Sequence, residues 1–218
     1  SYLGAQEPSL TDLLTIFIAA AEAIACLHDQ EIVHNNLHPG TLQIDLESRT
    51  VSITPSEFSF HCSGNGRAPG PAAPIHGPLP YISPERTGRT AHPIDFRSDA
   101  YSLGVIFYEA LTGKVPFDCA NPMQILHAHI AAVPRPVHEL NPRVPPMLAQ
   151  IVAKLLAKHP DERYQGMAGL IADLETCRDH LKTTGEIPPF ALAEKDFSPR
   201  FEIPQKLYGR HHEIKLIM

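Results

Sequence analysis

The chain has 218 residues, 43% of them hydrophobic and 19% charged, which is enough for one domain with a sizeable core and a tail. A net charge of −6 and a pI near 6.1 argue against nucleic acid or an anionic membrane surface as the main partner, since both demand a basic face. The most apolar run, Ile16 to Leu27, is shorter than a bilayer span and is interrupted by Glu22, so no membrane segment is expected, nor is a signal peptide.

In chain order, Ser9 with Asp12 reads as a helix start, and Leu10, Leu13, Leu14, Phe17, Ile18, Ala21, Ile24 and Ala25 form an apolar stripe at helical spacing. The string His34-Asn-Asn-Leu-His-Pro-Gly-Thr41 follows. Leu42 to Ile44 and Val51 to Ile53 then alternate around a polar turn at Glu47-Ser48-Arg49, which predicts a hairpin of two short strands. Residues 61 to 93 are rich in proline and glycine and read as a long irregular segment. Gly64-Asn-Gly66 lies inside it with neither a following G-K-[ST] nor a helix, so it is read as loop and not as a phosphate cradle. From Asp99 to about Thr112 the pattern is apolar nearly all round, as in a helix buried at the centre of a domain, and Gly113 ends it. Asn121-Pro122 caps another helix. Met147, Leu148, Ile151, Val152, Leu155 and Leu156 face a core from the next one, and Leu170, Ile171, Leu174, Cys177 and Leu181 do so from the last.

Thirteen histidines invite a metal hypothesis, but the spacings do not favour it. His127 and His129 stand two apart on a helix, where side chains do not share a face, and His211-His212 lies in a polar tail. Cys26, Cys62, Cys119 and Cys177 contain no C-x-x-C pair and read as free thiols in a reducing cytoplasm.

Short strings in fixed order carry a family resemblance. His34 to Thr41 resembles the protein-kinase catalytic loop, H-R-D-L-x-x-x-N, and Pro55-Ser56-Glu57 falls where the D-F-G of that family stands. Ile82-Ser-Pro-Glu85 resembles the A-P-E end of an activation segment, and Asp99-Ala-Tyr-Ser-Leu-Gly104 the D-x-W-S-x-G start of the long central helix. The resemblance implies that His34, Leu37 and Pro39 keep the frame of the loop. Asn35 stands at its Arg, Asn36 at the Asp that accepts the substrate proton, His38 at the usual Lys, and Thr41 at the Asn that holds magnesium. A neutral amide takes no proton near pH 7, so Asn36 is not expected to act as a general base, a role worth about 10²–10⁴ in rate. Pro55 has no side-chain oxygen to offer magnesium, which requires oxygen ligands. The resemblance also implies three structural anchors: Asp99 bonding the backbone of the loop, and Arg163 of Asp161-Glu-Arg-Tyr164 pairing with Glu85.

Longer strings narrow the resemblance. Tyr81 to Arg89, Ile94 to Gly104, Leu111-Thr-Gly-Lys-Val-Pro-Phe117, His127 to Ile130 and Lys154 to Lys158 are similar to the kinase-like region of large hybrid histidine kinases, notably the fungal sensors. In that family an AAA/STAND-type ATPase domain follows, and Phe201 to Arg210 with Leu207-Tyr-Gly-Arg-His-His-Glu-Ile resembles the junction and its opening. The expectations are therefore a mainly α, kinase-like C-lobe over 1–183 with the small hairpin at the catalytic-loop position and the N-lobe missing, an activation-segment-like loop at 55–85, and a linker and truncated ATPase start at 184–218. The implied function is a catalytically inactive regulatory module of a cytoplasmic sensor histidine kinase in a two-component phosphorelay, with protein partners or adjacent domains of its own chain and no cofactor. The alternative is a Ser/Thr kinase using ATP and magnesium with a separate N-lobe.

Overall fold

A computed structural model describes residues 8–45, 47–62 and 75–196. Helix α1 (Leu10–Asp29) starts where the Ser9 hydroxyl accepts the Asp12 amide, and its stripe buries Leu14, Phe17, Ile18, Ala21 and Ile24. By length and composition α1 is apolar enough to cross a membrane. Here it packs against the other elements instead: Phe17 stacks on Phe107 with ring centroids 3.8 Å apart. Each such fully buried side chain contributes roughly 1.5–3 kcal/mol.

Two two-stranded antiparallel sheets follow α1. Strands β2 (Leu42–Asp45) and β3 (Thr50–Ile53) form the expected hairpin, in the register Leu42 opposite Ile53 and Asp45 opposite Thr50. Its turn is set by Asp45, whose carboxylate accepts the amides of Glu47 and Ser48. The other sheet, β1 (Ile32–Val33) with β4 (Phe60–His61), is not evident in the sequence, because two-residue strands leave too little alternation to read.

Helix α2 (Phe96–Thr112) is the buried axis, and it begins three residues before Asp99. The reason is local: Asp95 and Ser98 form a reciprocal capping box that fixes the first turn upstream of the apolar run. Gly113 closes α2 with φ +73°, a left-handed conformation that glycine adopts without strain. Gly104 lets α5 (Pro146–Leu155) come close, since a methyl group there would meet Leu155 Cβ at 2.6 Å. Helix α3 (Pro122–Ala131) is capped by Asn121, and α4 (Val137–Leu140) is a single turn that the sequence pattern does not announce. Helix α6 (Met167–Thr184) lies along α1 and contributes Leu170, Leu174 and Cys177 to the core.

The histidines of α3 separate as their spacing requires. His127 is exposed, while His129 is fully buried with Nδ1 2.9 Å from the Tyr101 hydroxyl. Burial, and then the Lys158 charge, push the His129 imidazole down to about 4, so it is neutral at pH 7. Lys158 itself donates to the carbonyls of Ala128 and His129.

Within the stretch expected to be linker, residues up to Asp196 are folded against the lobe. Ile187, Phe190, Leu192 and Ala193 pack on the core. Gly64-Asn-Gly66, His211-His212 and the ATPase-like opening at 207–214 lie outside the described residues.

Candidate functional site

The loop from His34 to Thr41 hangs from one buried side chain. Asp99, in the first turn of α2 and 1% exposed, accepts the His34 amide at Oδ2 (2.8 Å) and the Asn35 amide at Oδ1 (2.8 Å). His28 Nε2, at the end of α1, reaches Oδ2 at 3.0 Å. Bonds from donors to a buried carboxylate are among the stronger kind, so the loop is fixed to the central helix.

Each loop residue has a defined task. His34 is buried, with Nε2 3.0 Å from the Thr54 carbonyl, and its own carbonyl accepts the Ser59 hydroxyl. Asn35 has φ +59°, a left-handed conformation that asparagine tolerates better than most residues, and its Nδ2 donates to the Phe58 carbonyl. That bond ties the loop to the segment after β3 without any charge. His38 accepts the Gly40 amide at Nδ1, and burial followed by the proximity of His34 pushes its imidazole down. The Thr41 hydroxyl donates to the His38 carbonyl (2.8 Å) and accepts the His38 amide (3.2 Å), so it is turned into the loop, its proton and one lone pair used there. Pro55, two residues past β3, is exposed.

Asn36 lies beside the chain that returns toward Glu85, as does His38, whose ring centroid is 6.4 Å from that of Tyr81. Gly77, at φ +81°, sits so close that a methyl group at its Cα would run into the Asn36 carboxamide. Phe58 stacks on His76 next to it, with centroids 4.3 Å apart, and Arg86 Nη2 donates to the His76 carbonyl (3.1 Å). None of these contacts was legible beforehand: Gly77 stood in a proline-rich run that reads only as loop. Gly77→Ala should destabilise the lobe by about 1–2 kcal/mol from the backbone conformation alone, with a further loss from the collision. Pairing it with Asn36→Ala should recover the collision part, and urea unfolding of the two single variants and the double would measure the coupling.

The segment end is held by a second buried constellation. Arg163 makes a two-pronged pair with Glu85, Nη1 to Oε1 at 2.7 Å and Nη2 to Oε2 at 2.9 Å, both side chains being essentially inaccessible. Ser98 donates a third bond to Glu85 Oε1 (2.7 Å). The guanidinium spends its other donors on the carbonyls of Ala157, Lys158 and Arg97, and lies over the Tyr101 ring. Every strong donor of the buried arginine thus has a partner, the condition for a buried ion pair to hold structure.

A catalytic-loop frame hung from the central helix, followed by a return segment locked through a glutamate to a distant arginine, is the architecture of a kinase-like domain. Residues 7–173 match the family model described as protein kinase domain, and the chain belongs to that family. It is 40% identical over 158 residues to hybrid signal transduction histidine kinase G of Dictyostelium discoideum, covering 63% of this chain and 5% of that protein. It is 31% identical over 208 residues to the peroxide stress-activated histidine kinase mak3 of Schizosaccharomyces pombe, covering 92% of this chain and 9% of that one. Similarity extends to the serine/threonine-protein kinase PknB of Mycolicibacterium smegmatis, 33% over 162 residues, or 74% of this chain and 25% of that protein. The chain therefore spans only a small part of these relatives.

Proposed function

We propose that this lobe does not transfer phosphate and acts as a binding and regulatory module of a cytoplasmic, multidomain sensor histidine kinase in a two-component phosphorelay. The observation that carries the reading is the pair of substitutions at the reacting positions, Asn36 for the proton acceptor and Pro55 for the metal-binding carboxylate. Thr41 adds to it, because a hydroxyl bonded to the His38 backbone stands where the family's magnesium-holding Asn would. Magnesium does not fit this donor set: proline offers no side-chain oxygen, and an octahedral oxygen shell needs carboxylate or equivalent ligands. The relatives named as histidine kinases support placing the module in such a sensor. Protein partners or neighbouring domains of its own chain, an AAA/STAND-type ATPase among them, belong to the same proposal and rest on the resemblance of the 201–214 stretch.

The similarity to PknB keeps a second reading, a serine/threonine kinase working with ATP, magnesium and a separate N-lobe. One experiment divides the two. A ligand present at a hundred times its Kd stabilises by about 2.7 kcal/mol. In a domain of this size that corresponds to a melting shift on the order of 5–10 °C. The chain should show no magnesium-dependent shift with ATP and no phosphorylation of a generic protein substrate. A magnesium-dependent shift, or transfer abolished by Asn36→Ala, would establish the enzyme reading instead.

A further inference from the structure

The segment that leaves α6 does more than exit. Gly185 ends the helix with φ +77° and turns the chain back, and Asp196 then closes on the start of the same helix. Its carboxylate accepts the Gln165 amide at Oδ2 (2.8 Å) and the Gly166 amide at Oδ1 (3.0 Å). The fit needs a notch: a methyl group at Gly169 would lie 2.6 Å from Asp196 Cβ and 2.8 Å from its Cα. A second attachment is independent of the first. Asp173 Oδ2, on α6, accepts both the Ala193 amide (2.9 Å) from the segment and the Tyr164 hydroxyl (2.6 Å).

The first attachment ends on the short turn Arg163 to Gly166, and the second reaches the same turn through Asp173, which Tyr164 bonds. That turn carries the arginine that clasps Glu85, and Gln165 within it also accepts Arg97 Nη1 at 3.1 Å. The exit segment and the end of the activation segment are therefore both bonded to the same four consecutive residues, the first at Gln165 and Gly166 and the second at Arg163. We propose that Gly185–Asp196 is a strap whose docking is coupled through this turn to the Glu85 end of the activation segment. A partner that loosened either end would weaken the other by the same factor, since coupling between sites is reciprocal. This device operates whether or not the lobe transfers phosphate.

Hydrogen exchange on the 218-residue chain tests it. The reporting amides are Ala193 and Asp196 on the strap and Arg86, Thr87 and Gly88 in the turn after Glu85, with the β2–β3 hairpin as a distant reference. Asp196→Ala, Asp196→Asn and Gly169→Ala should each accelerate exchange roughly tenfold on the strap, as loss of a helix cap does. The same variants should accelerate Arg86 to Gly88 measurably while the hairpin is unchanged. Glu85→Gln should in turn accelerate the strap. Faster strap exchange with an unchanged Arg86–Gly88 turn would overturn the coupling, as would an unchanged strap in all three variants or an equal rise in the hairpin, which reports global opening. The asparagine variant keeps size and shape, so it provides a reading if the alanine variants fail to fold.

Discussion

Glu85→Ala and Arg163→Ala are each expected to destabilise the lobe by about 3–5 kcal/mol in urea unfolding, because either change strands a buried charge. The double variant should cost less than the sum of the two, since each single change already breaks the same pair. Asn36→Ala should stay within about 1 kcal/mol of the parent, its side chain being only half-buried and belonging to no charged pair among the described residues. The pair also predicts an acid limb. Burial pushes the Glu85 carboxyl up, but the Arg163 charge and the bonds from Arg163 and Ser98 outweigh it and hold the carboxyl below its ordinary value of 4.5. A group with a depressed folded pKa stabilises fully above its unfolded value, and the contribution is lost as pH falls through the folded one. Stability should therefore drop below about pH 4.5, and Glu85→Gln should flatten that drop. Additive single effects, or an unchanged acid limb in the glutamine variant, would show that the pair does not hold the segment.

Asp99→Ala is the second large effect. It removes the acceptor for two buried amides, and leaving these unpaired costs about 1–3 kcal/mol each, or roughly 2–6 kcal/mol together. Asp99→Asn should cost less, since it keeps one acceptor oxygen, but its amide group would face one of the two N–H groups that now reach different oxygens. Unfolding free energy gives the magnitude. Exchange of the His34 and Asn35 amides gives the location, and loss of stability without faster exchange at these two positions would place the role of Asp99 elsewhere.

The parts of this fold that were legible in the sequence are those with a period or a punctuating residue. The stripe of α1, the caps at Ser9 and Asn121, the stop at Gly113 and the β2–β3 hairpin each rest on local chemistry that a short window contains. The central helix was legible, but its first turn was not, because the pair that starts it, Asp95 and Ser98, is polar and lies before the apolar run. The anchors Glu85, Asp99 and Arg163 could be named only through resemblance, since nothing local to a glutamate at 85 announces a partner 78 residues away. The contacts around Asn36 and the docking of Asp196 had no signal at all: each depends on a glycine whose missing side chain, at Gly77 or Gly169, is the point of contact. A sequence pattern records which side chains are present, and it is silent on where an absent one admits a neighbour.

The span between Glu85 and Arg163 has a consequence for how the protein is made. Ribosomes add about 5–20 residues per second, so roughly 4–16 s separate the emergence of the glutamate from that of its arginine, 78 positions later. Throughout that interval the segment end carries a carboxylate without its two-pronged partner, and among the described residues Ser98 is the other side chain that bonds it in the finished lobe. The nascent chain therefore has to keep this carboxylate hydrated while the β2–β3 hairpin, whose two strands lie close in sequence, can already form. Closure of the lobe around α2 becomes a late event in synthesis, waiting on Arg163 and on α6, which follows it in the chain and packs along α1.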